Sequence, residues 1–149
     1  STPPCVTISV REATYTYNNL MEQKAFTISI PSEKYVKQAD FIGIVSGKEV
    51  DKFAATGLTP IKSDVVHAPY VGEFPFVIEC KIIHTHKIGL HTQFIGEILD
   101  IKADESVIGE KGPAVDKIKP FLWAPDHGRG YYGLGQFLGK AFSIGKDLK

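Results

Sequence analysis

Cysteine is scarce in this sequence, at two residues, and there is no excess of either charge, with seventeen basic side chains against seventeen acidic ones. The first scarcity excludes a disulfide framework, since Cys5 and Cys80 each sit in an apolar, strand-like run where a free thiol behaves as a small buried hydrophobe. The charge balance removes the long-range field that would draw nucleic acid or an anionic membrane. No apolar run approaches the roughly 20 residues that cross a bilayer, so a soluble, cytoplasmic protein is expected. The commoner catalytic signatures are missing as well. No serine occupies a Gly-x-Ser-x-Gly elbow, no Gly-Lys-Ser/Thr phosphate loop occurs, and Cys80 has no cationic surroundings to lower its thiol pKa.

What is present is mostly strand. At 149 residues the chain has the size of one domain, and it is read as a single domain over 1–149. Cys5 to Arg11 alternates strictly, with Val6, Ile8 and Val10 on one face and Cys5, Thr7, Ser9 and Arg11 on the other. Tyr17, Leu20 and Met21 fall at helical spacing, behind a cap drawn from Thr14 to Thr16. Ala25 to Ile30 predicts a second strand, stopped by Pro31. Ser32 is placed to cap a helix running toward Val45, with Tyr35, Val36, Ala39 and Ile42 on one side and Ser46-Gly47 closing it. A short helix from about Glu49 to Thr56 would turn Val50, Phe53 and Ala54 inward and end at Gly57.

The segment from Leu58 to Pro75 reads as an ordered loop anchored by Tyr70, Val71 and Phe74. Phe76 to Ile83 and His91 to Lys102 read as strands, the second apolar on both faces, as in a barrel wall covered by helices or a second subunit. His84 and His86 share the parity of Ile82, with His91 past the next turn. Two imidazoles at i, i+2 can grip zinc, but no acidic or cysteine ligand stands at a persuasive spacing, and a hydrogen-bonded pair at a strand end is the favoured reading. In the tail, Gly128 to Gly139 is interleaved with aromatics. Tyr131, Tyr132, Phe137 and Phe142 there point to packing against the barrel or a partner subunit.

Two longer signatures remain: Ser46-Gly47-Lys48-Glu49-Val50-Asp51-Lys52-Phe53, and Gly89-Leu90-His91 leading into Phe94-Ile95-Gly96-Glu97. With Ser1-Thr2-Pro3-Pro4-Cys5-Val6, Arg11-Glu12-Ala13-Thr14-Tyr15-Thr16 and Phe26 to Glu33, they run in an order that resembles the flavoredoxin and flavin reductase-like family of FMN-binding split barrels. The resemblance implies a mainly β fold with short helices, FMN held noncovalently, and a homodimer with the site near the subunit boundary. Family members carry a leading segment with the first barrel strands before the double proline, so this chain reads as N-terminally incomplete, a fragment or processed product with strand edges for a partner to cover.

On that likeness Ser1 and Thr2 belong to the turn along the flavin ring. Arg11, Thr14 and Thr16 belong near the ribityl chain or phosphate, where hydroxyl and backbone donors at a helix start suit a dianion. Lys52 adds a positive charge. His91 stands where a nicotinamide would lie over the flavin, as a positioning group for hydride transfer. The implied activity is an FMN-dependent oxidoreductase taking hydride from NADH or NADPH and passing it to flavin or an acceptor. The alternative is a flavoredoxin-type electron carrier, paired with a redox partner protein and without nicotinamide turnover.

Overall fold

The computed structural model describes residues 2–125 and 128–148. In chain order the strands and helices are β1 (Cys5–Arg11), α1 (Tyr15–Gln23), β2 (Ala25–Ile30), α2 (Val36–Ile44), α3 (Lys52–Thr56), β3 (Pro60–Ile61), β4 (Tyr70–Val71), β5 (Phe76–Ile88), β6 (His91–Ala103), β7 (Ile108–Gly109), β8 (Gly112–Pro113), α4 (Val115–Ile118), β9 (Phe121–Ala124) and β10 (Gly130–Gly133). The principal sheet has the order β1-β6-β5-β2 and is antiparallel at every junction. The fold is mainly β, a curled half-barrel sheet with short helices, as expected for a split barrel.

One face of this sheet carries the core. Val6, Ile8 and Val10 of β1 stand opposite Gly96, Phe94 and Thr92 of β6, while Phe26 and Ile28 of β2 stand opposite Cys80 and Ile78 of β5. Helix α1 closes over them with Leu20, and its Tyr17 meets Phe94 edge-on at 6.0 Å between ring centroids. The turn into α1 is built by one side chain: Thr14 Oγ1 donates to Arg11 O at 2.8 Å and accepts from Tyr17 N–H at 3.3 Å. Lys24, at a φ of 54°, then ends the helix abruptly enough for β2 to begin at the next residue.

Cys80 is fully buried in this core, and desolvation, with the neighbouring Cys5, pushes its thiol up to about 11. Cys5 is half-buried, at the start of β1. A thiol reagent at neutral pH should therefore titrate one of the two cysteines in the folded protein, Cys5, and both after unfolding in guanidinium. Two rapidly reacting thiols in the native state would contradict this packing.

Several elements depart from the expectation. The helix expected from Glu49 starts at Lys52, because the Asp51 carboxylate takes the N–H groups of Phe53 and Ala54, both at 3.1 Å, and Ser46 to Val50 turn upstream of it. Ala54 faces solvent instead of the interior. The helix expected from Ser32 divides into a 3-10 turn (Glu33–Tyr35) and α2, and the Ser32 hydroxyl makes no capping bond. The loop from Leu58 carries its own small hairpin of β3 and β4, pinned to β2 through Thr27 Oγ1 on Pro69 O and Val71 N–H on Ser29 Oγ.

Strand β5 runs on to Ile88, so His84 and His86 lie within it instead of at its end. Ile82 pairs with Gly96 and His84 with Ile95, leaving Ile83 as an extra residue that throws both histidines onto the face opposite Ile82. A second irregularity, between Glu79 and Cys80, leaves Leu99 extra on β6. Beyond it Leu99 and Ile101 are 44% and 50% exposed, so this chain alone does not cover both faces of β6.

Candidate functional site

Helix α1 begins where β1 ends, α2 ends nearby, and the turn from Ser46 to Asp51 joins α2 to α3. Between them lies a cavity of about 970 Å³. Thr14, Thr16 and Lys52, expected at the site from the sequence, all line it, as do Tyr15, Asn19 and the stretch Ser46-Gly47-Lys48. That stretch belongs to the signature noted in the sequence, where Ser46-Gly47 is read as a helix stop and none of the three as a site residue. A Cβ on Gly47 would stand 3.0 Å from the exposed Tyr15 ring, which would have to give by a few tenths of an ångström to admit it.

The donors facing the cavity are partly committed. Thr14's hydroxyl is used on both sides to build the α1 turn, and it takes the Tyr17 N–H. Helix geometry leaves the N–H groups of Tyr15 and Thr16 without an intrahelical acceptor, and the positive end of α1 adds to them. Lys52 Nζ donates to Ile42 O at 2.6 Å, in the last turn of α2, where a cation suits the exposed carbonyls. An ammonium has three donors, so two remain. The arrangement suits a phosphate-sized anion: an N-terminal helix turn, a hydroxyl and a lysine, with room beside them for a polar chain.

Arg11 and His91 do not line this cavity, but the register makes them direct cross-strand neighbours at the last pair of β1 and β6. Both are exposed. Glu12, next in sequence, forms an ion pair with Lys87 at 2.9 Å across the same end of the sheet. Thr2 is exposed and lies before the opposite end of β1. The strand alone separates it from Arg11 by roughly 20 Å at about 3.3 Å per residue. Ser1 lies outside the described residues. The structure thus gathers Thr14, Thr16 and Lys52, sets Arg11 beside His91 one turn away, and leaves Thr2 at the far end.

His84 and His86 stack at 6.3 Å between ring centroids on the exposed face of β5. Among the described residues no three His, Cys, Asp or Glu side chains converge closely enough to hold a metal ion. Among them, too, no helix is long and apolar enough to cross a membrane.

Comparison with known proteins identifies the family and the fold. Residues 1–132 match the flavin reductase like domain. The flavoredoxin of Desulfovibrio vulgaris (Miyazaki F) superposes with a TM-score of 0.91 at 54% identity, covering 97% of this chain and 78% of its own. The flavoredoxin from Methanosarcina acetivorans gives 0.93 at 27% identity, covering 100% and 78%. An uncharacterized protein of Archaeoglobus fulgidus is 27% identical over 99 residues, 66% of this chain, and the chain spans only 56% of that relative's length.

Proposed function

Because the chain belongs to the flavin reductase-like family, we propose that it binds FMN and works as a flavoprotein oxidoreductase, passing reducing equivalents from NADH or NADPH to flavin or to an acceptor. The observation that carries this reading is the cavity in which Thr14, Thr16 and Lys52, far apart in sequence, meet at the start of α1. When bound, FMN supplies the hydride and electron chemistry. The chain's own residues bind and orient it. The first turn of α1, the Thr16 hydroxyl and Lys52 take the phosphate, and Arg11 supplies a second cation from the end of β1. The Thr2 turn, at the other end of the same strand, takes the ring. His91, beside Arg11, positions the electron donor. The protein acts as a homodimer.

A second reading, an electron carrier served by a redox partner protein, is favoured by the high identity to a flavoredoxin and by the lack of a nucleotide-binding fingerprint in the sequence. Rapid mixing with NADH separates the two. Fast bleaching of the flavin absorbance supports the reductase, and bleaching only by a reduced protein partner supports the carrier. The flavin itself is tested first. Protein mixed with FMN and dialysed is expected to stay yellow, and Arg11→Ala is expected to weaken FMN binding about 10- to 100-fold through loss of charge-assisted hydrogen bonds. Colourless protein after dialysis, with no fluorescence quenching on titration, would defeat the proposal, and unchanged affinity in the variant would remove Arg11 from the site.

A further inference from the structure

Strand β5 carries His84 and His86 on one face, and the proposed function leaves both unused. Their direction is set by a single residue. Ile82 packs against the core and pairs with Gly96, whereas His84 pairs with Ile95, so Ile83 is the extra residue of a bulge. Without it, alternation would turn both imidazoles into the core beside Ile82. Bulges re-aim side chains, and this one delivers two imidazoles side by side to solvent. Both residues are exposed.

The hydrogen bonds expected of a structural histidine pair are not formed. Among the described residues neither ring has a hydrogen bond or an ion pair, and the two stack on each other at 6.3 Å between centroids, with 28° between their planes. No carboxylate stands opposite them either, since β6 sets Ile95 across from His84 and Gln93 across from His86. Each neutral imidazole therefore keeps an uncommitted nitrogen lone pair.

Two such lone pairs at i, i+2 on one strand face can meet at one ion. With each nitrogen about 2.0–2.1 Å from a shared metal, each ring centroid lies roughly 3.2 Å from it, so the centroids stand about 4.5 Å apart for bonds at a right angle and about 6.4 Å for bonds in line. The observed 6.3 Å falls inside that span. Turning a nitrogen of each ring toward the ion takes only side-chain rotation, which exposed residues with no other bonds make between staggered rotamers. The donor set also chooses the ion. Structural zinc sites use four protein ligands and catalytic ones three, whereas copper(II) takes nitrogen and oxygen donors in a tetragonal plane and leads the divalent series in affinity.

We propose that His84 and His86 form an open, exchangeable chelate for a late first-row divalent cation, copper(II) before nickel(II) or zinc(II), with water completing the coordination. The site goes beyond the flavin reading and does not rest on it.

The test is titration of the FMN-free whole chain with copper(II) alone, followed by calorimetry and by pulsed electron paramagnetic resonance, which counts the imidazoles bound in the metal's plane. The wild type is expected to take up one ion per chain with two imidazoles on it. His84→Ala and His86→Ala should each leave at most one imidazole and weaken the affinity about 100-fold or more, because either change turns a chelate into a single bond. His67→Ala and Cys5→Ser should bind as the wild type does, and circular dichroism verifies folding throughout. Nickel(II) and zinc(II) should bind more weakly than copper(II). No saturable uptake, a single imidazole in the wild-type spectrum, or an affinity unchanged in either histidine variant overturns the site. Tighter binding of zinc(II) than of copper(II) overturns the assignment of the ion.

Discussion

Gly96→Ala is expected to cost about 2–3 kcal/mol of stability and to lower the melting temperature by roughly 5–10 °C. A Cβ built on Gly96 falls 2.5 Å from Phe26 Cζ and 2.9 Å from Cys80 Cβ. The Phe26 ring is 5% exposed and hemmed in by the core, and Cys80 Cβ is fixed to the β5 backbone, so neither can move without opening the sheet. Entropy works the other way, since alanine loses less freedom on folding than glycine by roughly 0.5–1 kcal/mol, which the overlap outweighs. Gly43→Ala supplies the opposite sign. It lies in α2 with nothing within 4 Å of a Cβ, and it should stabilise by up to about 1 kcal/mol. Chemical denaturation of both variants checks the pair. If trimming the ring with Phe26→Leu fails to recover stability in the Gly96→Ala background, the overlap is not the cause.

The same glycine shows what could be read from the residues and what could not. Phe94-Ile95-Gly96-Glu97 stands out as a signature in the sequence, but only the fold shows that its glycine is spent on core packing. Strands β1 and β2 have the bounds that alternation, β-branched residues and Pro31 predict, because those signals are local. The irregularities in the β5–β6 pairing are not local. They depend on which residue of the facing strand is skipped, so the parity that joins His84 and His86 to Ile82 in sequence breaks at Ile83 in the structure. Asp51 displaces the start of α3 by three residues for a similar reason: several polar residues there can cap, and tertiary placement selects one. The cavity is a case apart. Nothing in the spacing of Thr16 and Lys52 brings them together. Their expected kinship rests on the family resemblance, which assigns no site role to Tyr15, Asn19 or the Ser46 turn, because side chains that line a space by position alone leave no pattern in sequence.

The largest loss is expected from Lys102→Met, about 3–5 kcal/mol at neutral pH, because it strands a buried carboxylate. Glu79 is 0% exposed, and its Oε2 accepts from Lys102 Nζ at 2.8 Å, while the same ammonium reaches Asp100 Oδ2 at 2.6 Å. Glu79 Oε1 has no partner. The hydrogen bond from Lys102 holds the Asp100 carboxyl below its ordinary range, and the bonds to Asp100 and Glu79 hold the Lys102 ammonium above its own. A depressed carboxyl stabilises the fold above its unfolded pKa and loses that contribution as pH falls through the folded value. A raised lysine stabilises it below its unfolded pKa and loses that as pH rises through the folded value. The cluster therefore contributes fully between about pH 4 and pH 10. Without Lys102, the carboxylates of Glu79 and its cross-strand partner Asp100 face each other with no cation between them. The penalty in Lys102→Met should accordingly shrink below about pH 4, where carboxyl groups are protonated in the unfolded chain as well. Glu79→Gln leaves Lys102 with Asp100 and with water, and should cost about 1–2 kcal/mol. Combining Glu79→Leu with Lys102→Met removes both charges and should recover most of the loss, since an apolar pair of similar volume replaces an ion pair at little cost. Urea unfolding of the four proteins at acid and neutral pH decides the matter. A Lys102→Met penalty that stays constant with pH would mean that the loss comes from packing of the lysine stem and not from its carboxylate partners.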